Sequence, residues 1–266
     1  MASKMQKIML AALALVVFQS ISFAQTTTDW GWNWKDSSVV PTKKMPQYNE
    51  FLNNSFPYPP KPRSSWELGL SFGNGLIVGD RSVLTNGYNG GITGSVSLRK
   101  ALGHTLSIRP SYTGVIVSIP GSATTVAAKN MTHMLGVDFI ASLNTLSYYR
   151  ANPKVDWYLL GGYSLVASQV SVKNSTGAYN ISYYPQKNLI GTFGGNTVNG
   201  RKGWSLFHAY NVGAGVSFKL SNKINLGAEQ KFVVPLFYND NLDGNPVPGN
   251  TKDIYSLSTL HLNIVL

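Results

Sequence analysis

An all-β protein, an eight-stranded antiparallel transmembrane β-barrel with an irregular N-terminal arm, is what the sequence predicts, and three observations predict it. Eight segments alternate apolar with small or polar residues at period 2, the mark of strands whose successive side chains point to opposite faces. The connections between these segments alternate between short and long. Formal charge stays on one face of the strands, and only 12% of all residues are charged, about half the share usual in soluble domains.

The chain begins with Lys4 and Lys7 ahead of an apolar run from Ile8 to Phe18, followed by Ser22, Phe23 and Ala24 before Gln25. That order is the form of a secretory signal peptide, assigned to residues 1–24. The run is too short to cross a bilayer as a helix, which takes roughly 20 apolar residues. The longest later run, Phe232 to Tyr238, is broken by Pro235, so a helical membrane protein is excluded. Residues 25–65 form a periplasmic arm rich in proline and aromatics, among them Trp30, Trp32, Trp34, Tyr48, Phe51, Phe56 and Tyr58, with no usable period. Its stretch PYPPKP favours extended polyproline geometry and suits a spacer or a docking strip. The barrel is assigned to 66–266. With no cysteine in the chain, disulfide stapling and thiol chemistry are both excluded.

The strands are expected over 66–78, 92–100, 104–117, 131–145, 155–171, 205–220, 223–238 and 254–266. The connections at 79–91, 118–130, 172–204 and 239–253 are long, and those at 101–103 and 221–222 are short. Tight periplasmic turns opposite long extracellular loops are the rhythm of a small barrel in an outer membrane. Alternation within the strands sets the faces. Val96, Leu98, Leu106, Ile108, Pro110 and Tyr112 fall on one side, with rows such as Leu135-Val137-Phe139 and Leu260-Leu262-Ile264 continuing it without a charge. The other side carries Glu67, Arg99, Arg109, Asp138, Asp156, Lys219, Glu229 and Lys231. An arginine or lysine facing lipid at the midplane costs about 2–4 kcal/mol, so the charged face is expected to line the lumen. His208, Gln230, Ser256 and Ser258 interrupt the outward row.

The arm PTKKMPQYNEFLNNSFPYPPKPRSSWELGL, followed by SVSLRKALGHTLSIRPSY, resembles the N-terminal half of OmpA-like outer-membrane proteins of the Bacteroidetes. The likeness is most specific in the arm and the first three strands. It implies an eight-stranded outer-membrane barrel in the cell envelope, with the N-terminal arm and the C-terminus on the periplasmic side. In that family a periplasmic peptidoglycan-binding domain commonly follows the barrel, whereas this sequence stops at Leu266 with the eighth strand.

Candidate site residues fall into two groups. Arg109, Asp138, Glu229 and Lys231 lie near mid-strand, and with Arg99 and Asp156 they are expected to form a salt-bridge network in the lumen. An eight-stranded barrel is largely filled by side chains, so a wide pore is not expected. The second group lies on the third long loop, where Lys173, Lys187, Arg201 and Lys202 have no acid among them and accompany Tyr179, Tyr183 and Tyr184. Cations suit lipid phosphates and aromatics suit sugars or a protein partner. The partners expected are therefore outer-membrane lipid or lipopolysaccharide and other outer-membrane or periplasmic proteins. The net charge of +11 does not point to nucleic acid in an exported protein, and Lys4 and Lys7 leave with the signal.

No catalytic residue, metal ligand or cofactor is expected. His104, His133, His208 and His261 lie on different segments, and no HExxH, GxSxG or P-loop pattern is present. The stretch DNLDGN at 240–245 lacks the acidic spacing of a calcium loop and reads as a turn. The leading reading is a non-enzymatic outer-membrane barrel with a structural or interaction role, as such or as a subunit of a larger assembly. The alternative is a small, low-conductance channel. A lipid A-modifying enzyme using His208 with Ser205 comes third.

Overall fold

The computed structural model describes residues 40, 42–53, 55, 66–79, 90–121, 126–146, 154–173, 177–181, 190–193, 203–221, 224–236, 242–244 and 253–266. The signal peptide expected at residues 1–24 lies outside them. Among the described residues of the arm, a 3-10 turn at Thr42–Lys44 leads into helix α1, Met45–Leu52. Pro46 stands in its first turn, where the missing N–H would have no intrahelical partner, and Tyr48 is buried. The arm is thus not wholly without regular structure, and the run MPQYNEFL was too short to show a period.

Ten strands follow: β1 Trp66–Val78, β2 Gly90–Ala101, β3 Leu106–Ile119, β4 Ala128–Ser142, β5 Val155–Lys173, β6 Tyr179–Ile181, β7 Gly191–Phe193, β8 Trp204–Lys219, β9 Ile224–Pro235 and β10 Ile254–Val265. Eight of them close a barrel in the order β1-β2-β3-β4-β5-β8-β9-β10, every pair antiparallel, with β10 returning to β1. The short β6 pairs with the end of β5, and β7 pairs with the beginning of β8. They cover strand edges where the longer strands rise beyond their barrel neighbours, which removes unpaired edges.

One end of the barrel carries the tight turns. Leu102 and Gly103 N–H donate to the Leu106 carbonyl, and Leu220 and Ser221 do the same to Ile224. The first and last strands meet at this end too, where Leu266 N–H donates to Trp66 O. The opposite end carries the long connections. β4 begins and ends three residues earlier than expected, because the long β5 offers ladder partners as far as Ala128↔Val172, while Leu143–Thr145 turns into a 3-10 segment.

The outward rows hold the expected apolar residues, with Phe72, Leu135, Phe139 and Trp157 each more than half exposed. Three lysines also face outward, Lys100, Lys129 and Lys173, each within two residues of a strand end. Lys100 Nζ sits 4.8 Å over the Trp66 ring near the tight turns. Toward the long loops, Tyr112 and Tyr163 hydroxyls pair with His133 Nδ1 and His208 Nδ1, and His133 lies 5.3 Å from the Trp204 ring. Amphipathic rings of this kind suit a membrane–water boundary.

Candidate functional site: the lumen

Alternation along β3, β4 and β9 turns Arg109, Asp138, Glu229 and Lys231 inward, and strand register sets them together. Arg109 and Asp138 are direct cross-strand partners. The Arg109 guanidinium binds Glu229 through both oxygens, at 2.8 and 2.9 Å, and donates to Asp138 Oδ2 at 3.0 Å. Lys231 Nζ lies 3.6 Å from the same Asp138 oxygen. The Tyr158 hydroxyl donates to Glu229 Oε2 at 2.8 Å, and Asn211 Nδ2 donates to Asp138 Oδ1 at 2.7 Å. Asp138 is fully buried and Arg109 is 12% exposed in its side chain. Two cations and two anions with neutral donors at their edges pair the buried charges, with Arg109 Nε the one guanidinium nitrogen left without a hydrogen-bond partner. The fork of arginine matches a carboxylate in a way lysine does not.

Two glycines make room for this layer. A Cβ on Gly215 would lie 2.3 Å from the Tyr158 hydroxyl, and one on Gly227 would lie 2.2 Å from His261 Nε2. Arg109, Glu229, Lys231 and His261 border a cavity of about 20 Å³ lined otherwise mainly by serine and threonine, large enough for about one water.

Arg99 and Asp156 do not join this layer. They lie nearer the tight turns, Arg99 3.6 Å from Glu67 and Asp156 accepting from the Ser142 hydroxyl. The expected single network is therefore two groups at different heights. Tyr158, Asn211 and His261 were not among the expected site residues, although their inward parity with Asp156, Gly213 and Asn263 was readable.

Toward the long loops the lumen changes character. Ile77, Val115, Val117, Ile119, Val166, Phe207, Val233, Leu242 and Leu257 form one buried apolar cluster. Within it the Tyr255 hydroxyl lies 2.7 Å from Thr132 Oγ1 and 3.2 Å from Ser168 Oγ. Leu242, in the stretch read as a plain turn, is fully buried in the mouth. Asn130 Nδ2 donates to its carbonyl at 2.7 Å, and Asp253 Oδ2 accepts from its N–H at 2.8 Å. Gly244, at φ +77, adopts the left-handed conformation that favours glycine. The charged face expected to line the lumen thus gives way to an apolar filling toward the long loops. In the upper part of β3, Val115, Val117 and Ile119 make the inward face apolar because the interior there is a core, while Ile116 and Ser118 face outward.

Of the loop candidates, Lys173 is exposed at the end of β5 and the Tyr179 backbone pairs with it. Tyr183, Tyr184, Lys187, Arg201 and Lys202 lie outside the described residues. Ser205 and His208 are three residues apart on β8, so they point to opposite faces. His208 is outward with Tyr163, while Ser205 pairs across to Ser168. That parity takes away the serine–histidine pair on which the enzyme reading stood. Among the described residues no group of three or more acidic, histidine or cysteine side chains is placed to hold a metal ion.

No protein-family model matches the chain, and no curated protein matches it. Solved structures do. Neisserial surface protein A is 13% identical, with 75% of this chain and 96% of that chain covered and a TM-score of 0.44. Ail, the attachment invasion locus protein of Yersinia pestis, solved with the heparin analogue sucrose octasulfate, is 10% identical over 76% of this chain and 99% of that chain, with a TM-score of 0.44. A major outer membrane protein from Thermus thermophilus is 12% identical over 77% of this chain and 100% of that chain, with a TM-score of 0.45.

Proposed function

We propose that the chain is an integral outer-membrane barrel of the bacterial envelope, non-enzymatic and non-conducting, with a structural or interaction role. The observation that carries this is the division of the barrel wall. Outward charge occurs only at Lys100, Lys129 and Lys173 among the described residues, all at strand ends, while the interior holds the buried ion pairs. A barrel in water has no reason to expose Phe72, Leu135 and Phe139 between two aromatic margins, and a bilayer does. The tight turns then face the periplasm, with the arm, and the long loops face outward. Exposed Lys129 and Lys173 stand at the outer margin, where lipid phosphates lie, and this favours lipopolysaccharide as the lipid partner. A filled lumen with an apolar upper half favours a closed barrel over the channel.

The test is fractionation with electrophoresis of unheated and boiled samples, followed by planar-bilayer recording. Recovery in the outer membrane, faster migration unheated and no discrete conductance are expected. Recovery as a folded monomer without detergent overturns the membrane reading, and unitary conductance steps overturn the closed one. Phe139→Arg, on the exposed face of β4 between His133 and the tight-turn end, is expected to lower the stability of the vesicle-refolded protein by about 2–4 kcal/mol in a urea titration.

A further inference from the structure

One region of the outward wall is not apolar. Asn74 of β1 pairs in register with Ser258 of β10, and Ser258 pairs with Gln230 of β9. Ser256 is the next outward residue along β10. Gln230 Nε2 donates to Ser256 Oγ at 2.8 Å, and the Ser258 hydroxyl donates to Gln230 Oε1. Gln230 is near the middle of the 12-residue β9, and the patch is bordered by outward Phe72 and Leu260 below and Leu76 and Phe232 above. In the membrane reading, on which this inference rests, the patch lies at the level of hydrocarbon, which offers no hydrogen-bond partner. A glutamine amide has two N–H donors, and the bonds within the patch use one of them.

We propose that the β9–β10–β1 face is a dimer interface within the membrane and that its occupant is a second copy of this chain. At its surface the patch presents donor and acceptor together, in the Gln230 amide and the exposed Ser258 hydroxyl, with Ser256 buried beneath Gln230, and is therefore its own complement. Two copies inserted in the same direction are related by a two-fold axis along the membrane normal, which makes the interface isologous. Ser258 is central and exposed, with the amide of Asn74 on one side and that of Gln230 on the other, so the axis passes beside Ser258. The residues next to Gln230 in its row and along β9, Ala214 and Ala228, are small and allow close approach, as small and polar residues do between membrane segments.

The absence of cysteine from the sequence makes the test direct. Ser258→Cys places a lone thiol beside the axis, and Val137→Cys places one on β4, across the barrel. Outer membranes containing the full chain are treated with a copper-catalysed air oxidant and analysed without reductant. Ser258→Cys is expected to give a disulfide-linked band of twice the chain mass, and Val137→Cys is not. Adding Gln230→Leu to Ser258→Cys is expected to lower the linked fraction about threefold to tenfold, while heat-dependent mobility shows that the barrel still folds. A monomeric Ser258→Cys, equal linkage of Val137→Cys, or linkage only to another protein overturns the proposal. Uncrosslinked protein that is folded and membrane-embedded rejects the dimer alone, whereas protein recovered without detergent rejects the membrane reading as well.

Discussion

The lumen at two heights solves one problem in two ways. Near the middle, Arg109, Asp138, Glu229 and Lys231 fill the interior with paired charge. Toward the long loops, Ile77, Val117, Val166 and Phe207 fill it as a core does. The charged layer stands only while every member keeps its partner, since an unpaired buried charge is far more costly than a lost contact. The apolar layer is non-directional, and each member contributes by area and fit. The mid-height layer therefore concentrates its dependence on one residue, and the upper layer spreads it.

That contrast can be broken by substitution. Arg109→Leu leaves two buried carboxylates without their main partner and is expected to cost about 3–5 kcal/mol, read by urea titration of protein refolded in vesicles. A negligible loss would mean that the charged layer is not coupled through Arg109. Ile77→Ala, in the upper layer, is expected to cost about 3 kcal/mol from lost burial and the cavity left behind. A much smaller loss would show that the upper lumen collapses around a missing side chain. Arg99→Gln sharpens the comparison from below. Its contact with Glu67 is long, at 3.6 Å, and partly exposed, so the expected loss is under about 1 kcal/mol. A loss equal to that of Arg109→Leu would place Arg99 in the central network after all.

Strand parity was legible because side chains alternate strictly along a strand. From Val96 and Leu98 through Leu260 and Leu262, the outward rows could be written down, as could the inward position of Arg109. The outward Gln230, Ser256 and Ser258 looked like flaws in the pattern until cross-strand register showed them joined on one face. Ser205 and His208 show the opposite failure, since nearness in sequence concealed that they face opposite ways.

What the sequence by itself determined was the class of structure: period-2 segments, alternating connection lengths and one uncharged face require a barrel with distinct inner and outer surfaces. Only the tertiary structure decided which residues meet. Glu229 lies 120 residues from Arg109, and no local pattern encodes the register that brings its carboxylate into the guanidinium fork. The same holds for the mouth of the barrel, where Leu242 is a turn residue by its neighbours in sequence and a core residue by position. Periodicity is a property of one strand, whereas register and closure belong to all eight together.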